Sequence, residues 1–165
     1  MICTPWWPAY VGIGSNLGDS RAQIERAYLA LDRLPTTRVI RRSPIYRSVP
    51  FGPVSQGDFL NAVAALVTQL SIDALWVRLR ELEQELGRAS GRVRWGPREI
   101  DLDLLVHGQG ELACDTLTVP HPGISERDFV LYPLLDVAPE LWIPGVGRVE
   151  SLAARVADRG MQRLE

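Results

Sequence analysis

The stretch Ile100-Asp101-Leu102-Asp103-Leu104-Leu105-Val106 carries the reading of this chain. Apolar and acidic residues alternate through its first half, the pattern of a β-strand with two unlike faces. Period two puts Ile100, Leu102, Leu104 and Val106 on one face and Asp101 and Asp103 on the other. Side chains two apart on one face lie roughly 7 Å from each other. Carboxylates at that spacing repel unless cations lie near them, and magnesium favours one or two carboxylates plus substrate phosphates over an all-protein cage. A solvated face on an amphipathic strand explains the alternation equally well, although Asp is depleted in strands. On these residues alone both readings stay open.

The residues just upstream, Arg88-Ala-Ser-Gly-Arg-Val-Arg-Trp-Gly-Pro-Arg98, place four arginines around two glycines directly before the aspartates. Arginine grips phosphate as a planar fork, and a basic glycine-containing loop beside a carboxylate pair suits a lid over a magnesium polyphosphate. A solvated basic loop or a nucleic-acid patch is the competing reading. Farther upstream, Gly12-Ile-Gly-Ser-Asn-Leu-Gly18 is one residue too long for a dinucleotide fingerprint, since position 17 is leucine. It cannot be a Walker loop either, because all 18 basic residues are arginine and the chain has no lysine. A structural turn between strand and helix fits it better.

The remaining elements follow from periodicity. Ala9–Gly14 reads as a buried strand, and Ile24, Ala27, Tyr28 and Leu31 as the apolar face of a helix capped at Asp19 or Ser20 and finished before Pro35. Arg38–Val49 suits an edge strand that tolerates Pro44. A Pro/Gly loop, 50–57, precedes an apolar strand from Phe59 to Val67. Ser71 and Asp73 open a helix with Leu75, Leu79, Leu82 and Leu86 on one stripe and Gly87 beyond it. Glu99–Val106 is the last strand of this series. Strand, helix, strand, strand, helix, strand is the split βαβ order of a ferredoxin-like α+β sandwich with a mainly antiparallel sheet. Pro120-His121-Pro122, a short helix from Asp128 to about Val137 and a Pro/Gly-rich tail complete the chain.

The 165 residues suit one domain, 1–165, with 1–8 as a loose extension containing Trp6 and Trp7. A net charge of -2 argues against nucleic acid or an anionic membrane as partner. Cys3 and Cys114 have no metal-ligand spacing, and no apolar run approaches a membrane span, so cytoplasm is expected. Asn61 stands inside an apolar strand, where its amide needs partners from the backbone or from a ligand with amide-like edges. Glu83 lies beside the apolar stripe of its helix, and Phe59 and Phe129 read locally as core.

Together these segments resemble the 6-hydroxymethyl-7,8-dihydropterin pyrophosphokinase family. The matching runs are Gly14-Ser-Asn-Leu-Gly18, Ser43-Pro-Ile-Tyr46, Pro50-Phe-Gly52, Asp58-Phe-Leu-Asn-Ala-Val63, Arg94-Trp-Gly-Pro-Arg98, Ile100-Asp-Leu-Asp-Leu-Leu105 and Leu117-Thr-Val-Pro-His121. They occur in family order from Tyr10 to about Pro144. The resemblance implies a ferredoxin-like fold and transfer of pyrophosphate from ATP to the hydroxymethyl oxygen of the pterin, releasing AMP, in folate biosynthesis. It implies that Asp101 and Asp103 hold two magnesium ions, and that Arg88, Arg98 and Trp95 belong to the loop that closes on ATP. Glu83, Leu104, Leu117, Thr118, His121 and Arg127 would complete the ATP site. The pterin would lie between Phe59 and Phe129, its edge read by Asn61, with Ser48 and Phe51 contributing backbone contacts. Small molecules would be the only partners and the protein a monomer.

The chain departs from the family pattern at Gly57, where proline is usual, and at Ala89-Ser90, where some relatives are more basic. A ferredoxin-like RNA-binding module and a magnesium phosphatase are the rival readings; the acidic balance and the paired aspartates argue against the first, and reaction products separate the second.

Overall fold

The alternation at residues 9–13 buries Ala9, Val11 and Ile13 completely or nearly so, and that strand, β1 (Trp7–Ser15), runs through the centre of the sheet. In the computed structural model, which describes residues 2–50, 52–87 and 94–164, β1 pairs antiparallel with two later strands. Phe51, Arg88 and Arg92 lie outside the described residues. Trp7 and Pro8, expected to be loose, are instead the first residues of β1, with Trp7 opposite Thr68 and its ring 6.3 Å from that of His107.

Helix α1 (Ser20–Asp32) starts where Asp19 accepts the Ala22 N–H at 3.1 Å, satisfying one of the donors a helix start leaves unpaired. Strands β2 (Thr37–Arg42) and β3 (Ile45–Ser48) replace the single edge strand expected over 38–49. Pro44 has no N–H to continue a ladder, and the break at Ser43 lets its hydroxyl accept the Val63 N–H at 2.8 Å. Both strands pair with β4 (Phe59–Thr68). In α2 (Ile72–Glu85), Ser71 caps the Ala74 N–H at 3.2 Å, and Leu75, Leu79 and Leu82 are buried on one stripe. The chain leaves that helix at Gly87, whose φ of +98° favours glycine. Strand β5 (Asp101–His107) then pairs with the far side of β1.

The C-terminal part is more regular than its composition suggests. A small ladder of β6 (Leu112–Ala113) and β7 (Thr118–Val119) leads to a 3-10 turn (Ile124–Glu126) and α3 (Asp128–Val137). The expected Pro/Gly-rich tail forms a hairpin of β8 (Trp142–Ile143) and β9 (Gly147–Arg148), helix α4 (Val149–Arg155) and β10 (Gln162–Leu164). β10 pairs outside β3, so β3 is not an edge.

The main sheet has the order β10-β3-β4-β1-β5, with β2 also on β4. Its βαββαβ part has the ferredoxin-like arrangement expected. One face packs Ala62, Ala64 and Leu66 of β4 against α1 and α2, while Val63 and Ala65 point the other way, towards α3 and α4. Leu102 and Leu104 join the first cluster as the alternation requires. Val106 does not: the register shifts between Tyr10 and Val11, and Leu105 and Val106 both enter the second cluster.

Candidate functional site

Two rows of residues cross the centre of the sheet on the face away from α1 and α2. Asn61 of β4, Gly14 of β1 and Asp101 of β5 form one row; Val63, Gly12 and Asp103 form the next. The middle member of each row has no side chain, so a trough floored by backbone separates the amide from the carboxylates. The fit is close at Gly14, where a Cβ would stand 3.3 Å from Asn61 Oδ1. This trough is the floor of a cavity of about 280 Å³.

At one end, Asn61 Nδ2 donates to Ser48 Oγ at 2.6 Å, which fixes the amide orientation while its oxygen faces Gly14. Phe59 and Phe129 both line the cavity. Phe129 is held at the first turn of α3, its N–H donating to buried Asp128 at 2.8 Å.

At the other end, Arg98 pairs with Asp101 at 3.1 Å. Burial, and then the negative charge of Asp101, push the Asp103 carboxyl well above the usual carboxylate range. Among the described residues no group of three or more potential metal-ligating side chains occurs. Two carboxylates, one costly to ionise in its present surroundings, form a hard-oxygen donor set that fits magnesium completed by substrate phosphates.

Arg94, Trp95, Gly96 and Arg98, from the described end of the arginine-rich segment, line the cavity wall. Trp95 has a φ of +67°, packs over Gly52, and lies 5.4 Å from the Arg94 guanidinium and 5.8 Å from that of Arg127. Arg127 also lies 5.8 Å from the Phe129 ring. This arrangement depends on Asn16 and Gln56, two residues that sequence reading left without a role. Asn16 Nδ2 donates to Gln56 Oε1 at 2.9 Å and to the Gly57 carbonyl at 3.0 Å, while its Oδ1 accepts the Arg98 N–H at 2.8 Å. Gln56 in turn donates to the Trp95 carbonyl at 2.6 Å. The Ser15-Asn16-Leu17-Gly18 turn is therefore structural, as its sequence suggested, and it ties two loops to the end of β1. Its amide was the available signal, since Asn in a turn commonly bonds backbone.

A second cavity, of about 310 Å³, adjoins the first and shares Asp103 and His121 with it. Leu104, Leu117, Thr118, Trp76 and Arg80 are among its lining residues. The Nδ1 of His121 accepts the Gly123 N–H at 3.1 Å, which leaves the proton on Nε2. Burial, assisted by the Arg127 charge, pushes the imidazole pKa down to about 4, so the ring is a neutral donor near pH 7. Glu83 lines neither cavity; it is 3% exposed and turned towards the backbone of β5.

The structure thus brings Ser48, Phe59, Asn61, Trp95, Arg98, Asp101, Asp103, His121, Arg127 and Phe129 around one cavity, and Leu104, Leu117 and Thr118 around its neighbour. With this geometry in place, similarity to known proteins is informative. The sequence model of 7,8-dihydro-6-hydroxymethylpterin-pyrophosphokinase matches residues 10–139. The chain is 45% identical over 155 residues to the 2-amino-4-hydroxy-6-hydroxymethyldihydropteridine pyrophosphokinase of Pseudomonas aeruginosa, covering 94% of this chain and 95% of that protein. It is 41% identical over 157 residues to the protein of the same name from Methylorubrum extorquens, covering 95% and 98%. A crystal structure described as HPPK-DHPS in complex with substrates superposes with a TM-score of 0.75 at 14% identity, over 98% of this chain and 47% of that one. At that identity the likeness concerns the fold.

Proposed function

The chain belongs to the 7,8-dihydro-6-hydroxymethylpterin-pyrophosphokinase family, and from that premise we propose how its own residues carry the reaction. It is an enzyme that transfers a pyrophosphoryl group to 6-hydroxymethyl-7,8-dihydropterin in folate biosynthesis. In the proposed reaction the hydroxymethyl oxygen attacks the β-phosphorus of ATP. A new O–P bond forms, the bond from the β-phosphorus to the α,β-bridging oxygen breaks, and AMP leaves with that oxygen. The hydroxyl proton passes to solvent; no side chain is assigned as its acceptor.

The observation that carries this reading is the glycine-floored trough, which places Asn61 and the aspartate pair on one face with only backbone between them. A flat heterocycle lies between Phe59 and Phe129 with its amide-like edge on Asn61, which offers both a donor and an acceptor. Its hydroxymethyl group then projects along the trough towards Asp101 and Asp103. Stacking favours the ring, and the amide selects its edge. Ser48 holds Asn61 in the required orientation, and Phe51, which lies outside the described residues, is given a pterin role by the family resemblance alone.

ATP occupies the second cavity and the boundary between the two. The alternation of an antiparallel edge gives Leu104 outward backbone groups for the base, beside Leu117 and Thr118. Arg98 and Arg127, with Arg88 from the adjoining segment, neutralise triphosphate charge, and Trp95 covers it. His121 Nε2–H adds a donor without adding charge. Two magnesium ions held by Asp101 and Asp103 would supply charge neutralisation and alignment of the triphosphate for in-line displacement. Phosphoryl transfer depends chiefly on such positioning and electrostatics, so the absence of an assigned base is compatible with turnover. The same reading takes the protein as a cytoplasmic monomer with small-molecule partners; no described helix is long and apolar enough to cross a membrane.

Phosphorus NMR of the purified chain with ATP, magnesium and hydroxymethyldihydropterin tests the reaction. AMP and a pterin diphosphate in equal amounts are expected; ADP or free phosphate as the only new phosphorus product refutes it.

A further inference from the structure

β5 pairs with β1 on one side, and among the described residues no strand covers its other side. Alternate residues of such an edge turn both backbone groups outward. At Leu102 those two groups are taken up by side chains from α2. Its N–H donates to Glu83 Oε1 at 2.7 Å, and its carbonyl accepts from Arg80 Nη2. Arg80 Nη2 also lies 3.2 Å from Glu83 Oε1, so three partners close a ring. Glu83 and Arg80 are one helical turn apart and together occupy, at a single residue, the place of a neighbouring strand.

That residue is the one between Asp101 and Asp103. Burying a carboxylate to 3% exposure is costly, whereas an apolar residue at 83 would extend the buried leucine stripe of α2. A full neighbouring strand would also satisfy Leu102, but it would cover the edge at Leu104, which lines the second cavity. A clip at one position holds the backbone and leaves the next outward position open. We infer that Glu83 and Arg80 are positioning residues that clamp the β5 backbone between the two aspartates and so fix the carboxylate geometry presented to a metal-bound triphosphate. The inference rests on the reading of Asp101 and Asp103 as magnesium ligands.

Three variants of the full chain test it: Glu83→Leu removes the acceptor, Glu83→Gln keeps an oxygen for the Leu102 N–H, and Arg80→Met keeps the stem but not the donors. The probe is Mn2+, titrated by electron paramagnetic resonance in the presence of a non-hydrolysable ATP analogue. Amide exchange at Leu102 and steady-state kinetics are followed alongside. Loss of a group that orients a metal ligand typically costs 10–100-fold in affinity or activity. Glu83→Leu should therefore weaken Mn2+ at least tenfold, lower kcat by a similar factor and leave the pterin KM within twofold. Glu83→Gln should recover most of the Mn2+ affinity, and Arg80→Met should lose threefold or more.

Faster Leu102 exchange with unchanged Mn2+ affinity would show a structural role only and overturn the inference. So would a Glu83→Gln protein as impaired as Glu83→Leu. Should Glu83→Leu fail to fold, Arg80→Met decides: unchanged Mn2+ affinity overturns the clamp. A wild-type chain that binds no Mn2+ sinks the metal reading and the inference together, whereas wild-type binding with unaffected variants sinks the inference alone.

Discussion

Removing the Asp103 charge by Asp103→Asn should abolish turnover and yet stabilise the protein in the absence of divalent metal. The two carboxylates of β5 share one face, roughly 7 Å apart. At an effective dielectric constant near 20, two unit charges at that distance repel by about 2 kcal/mol. Arg98, 3.1 Å from Asp101, already offsets part of this, which leaves about 1–2 kcal/mol to be gained. For a chain of this length that is a rise in Tm of roughly 2–8 °C. The pH dependence has a fixed sign. Folding raises the Asp103 pKa, so the folded state holds a proton that the unfolded state has released. That contribution to stability is complete below the unfolded value and disappears as pH rises through the folded one. Asp103→Asn, which cannot ionise, should therefore gain most on the alkaline side. Scanning calorimetry with chelator at several pH values, then with magnesium and an ATP analogue, measures both effects; metal should raise the wild-type Tm and barely move the variant's. A metal-free variant less stable than wild type at pH 8, or one that still forms AMP at a normal rate, would refute the reasoning.

Gly14→Ala puts a methyl group 3.3 Å from Asn61 Oδ1, tighter than an ordinary contact, so the amide must move away from the trough. The pterin KM should rise about tenfold, equivalent to ~1.4 kcal/mol, with the ATP KM nearly unchanged; equal rises in both would show a general distortion. Asn16→Ala removes three hydrogen bonds that join the β1 turn to both loops, and should cost about 1–3 kcal/mol in urea unfolding while raising both KM values. For His121 the folded pKa lies near 4, below the unfolded value near 6.5, so its contribution to stability is present above pH 6.5 and is lost as pH falls towards 4. His121→Gln should remove up to about 3 kcal/mol of that acid-side slope, read from urea midpoints at pH 4 to 7.

The residues that repeat at fixed intervals were legible without coordinates. Apolar spacing marked α1 and α2, Asp19 and Ser71 announced their caps, and alternation placed Asp101 and Asp103 together on one strand face. Tertiary pairing was needed elsewhere. Composition marked the tail only as Pro/Gly-rich, because strands as short as β8, β9 and β10 hold too few residues to show a period. Pro44 could be read as tolerable in one strand, but the two-strand break depends on Ser43 meeting Val63, 20 residues away. Val106 changed faces through a register shift seen only in the pairing of β5 with β1.

The same division holds at the site. The sequence alone determined which chemical groups exist: a carboxylate pair, arginines without lysine, an amide inside an apolar strand. Local patterns carry that much because one strand's period sets which side chains share a face. That Gly12 and Gly14 separate Asn61 from the aspartates, that Asn16 and Gln56 join the loops, and that Glu83 faces the β5 backbone emerge from the folded chain. Those relations belong to strand register and helix packing, which arise from contacts between segments far apart in the chain.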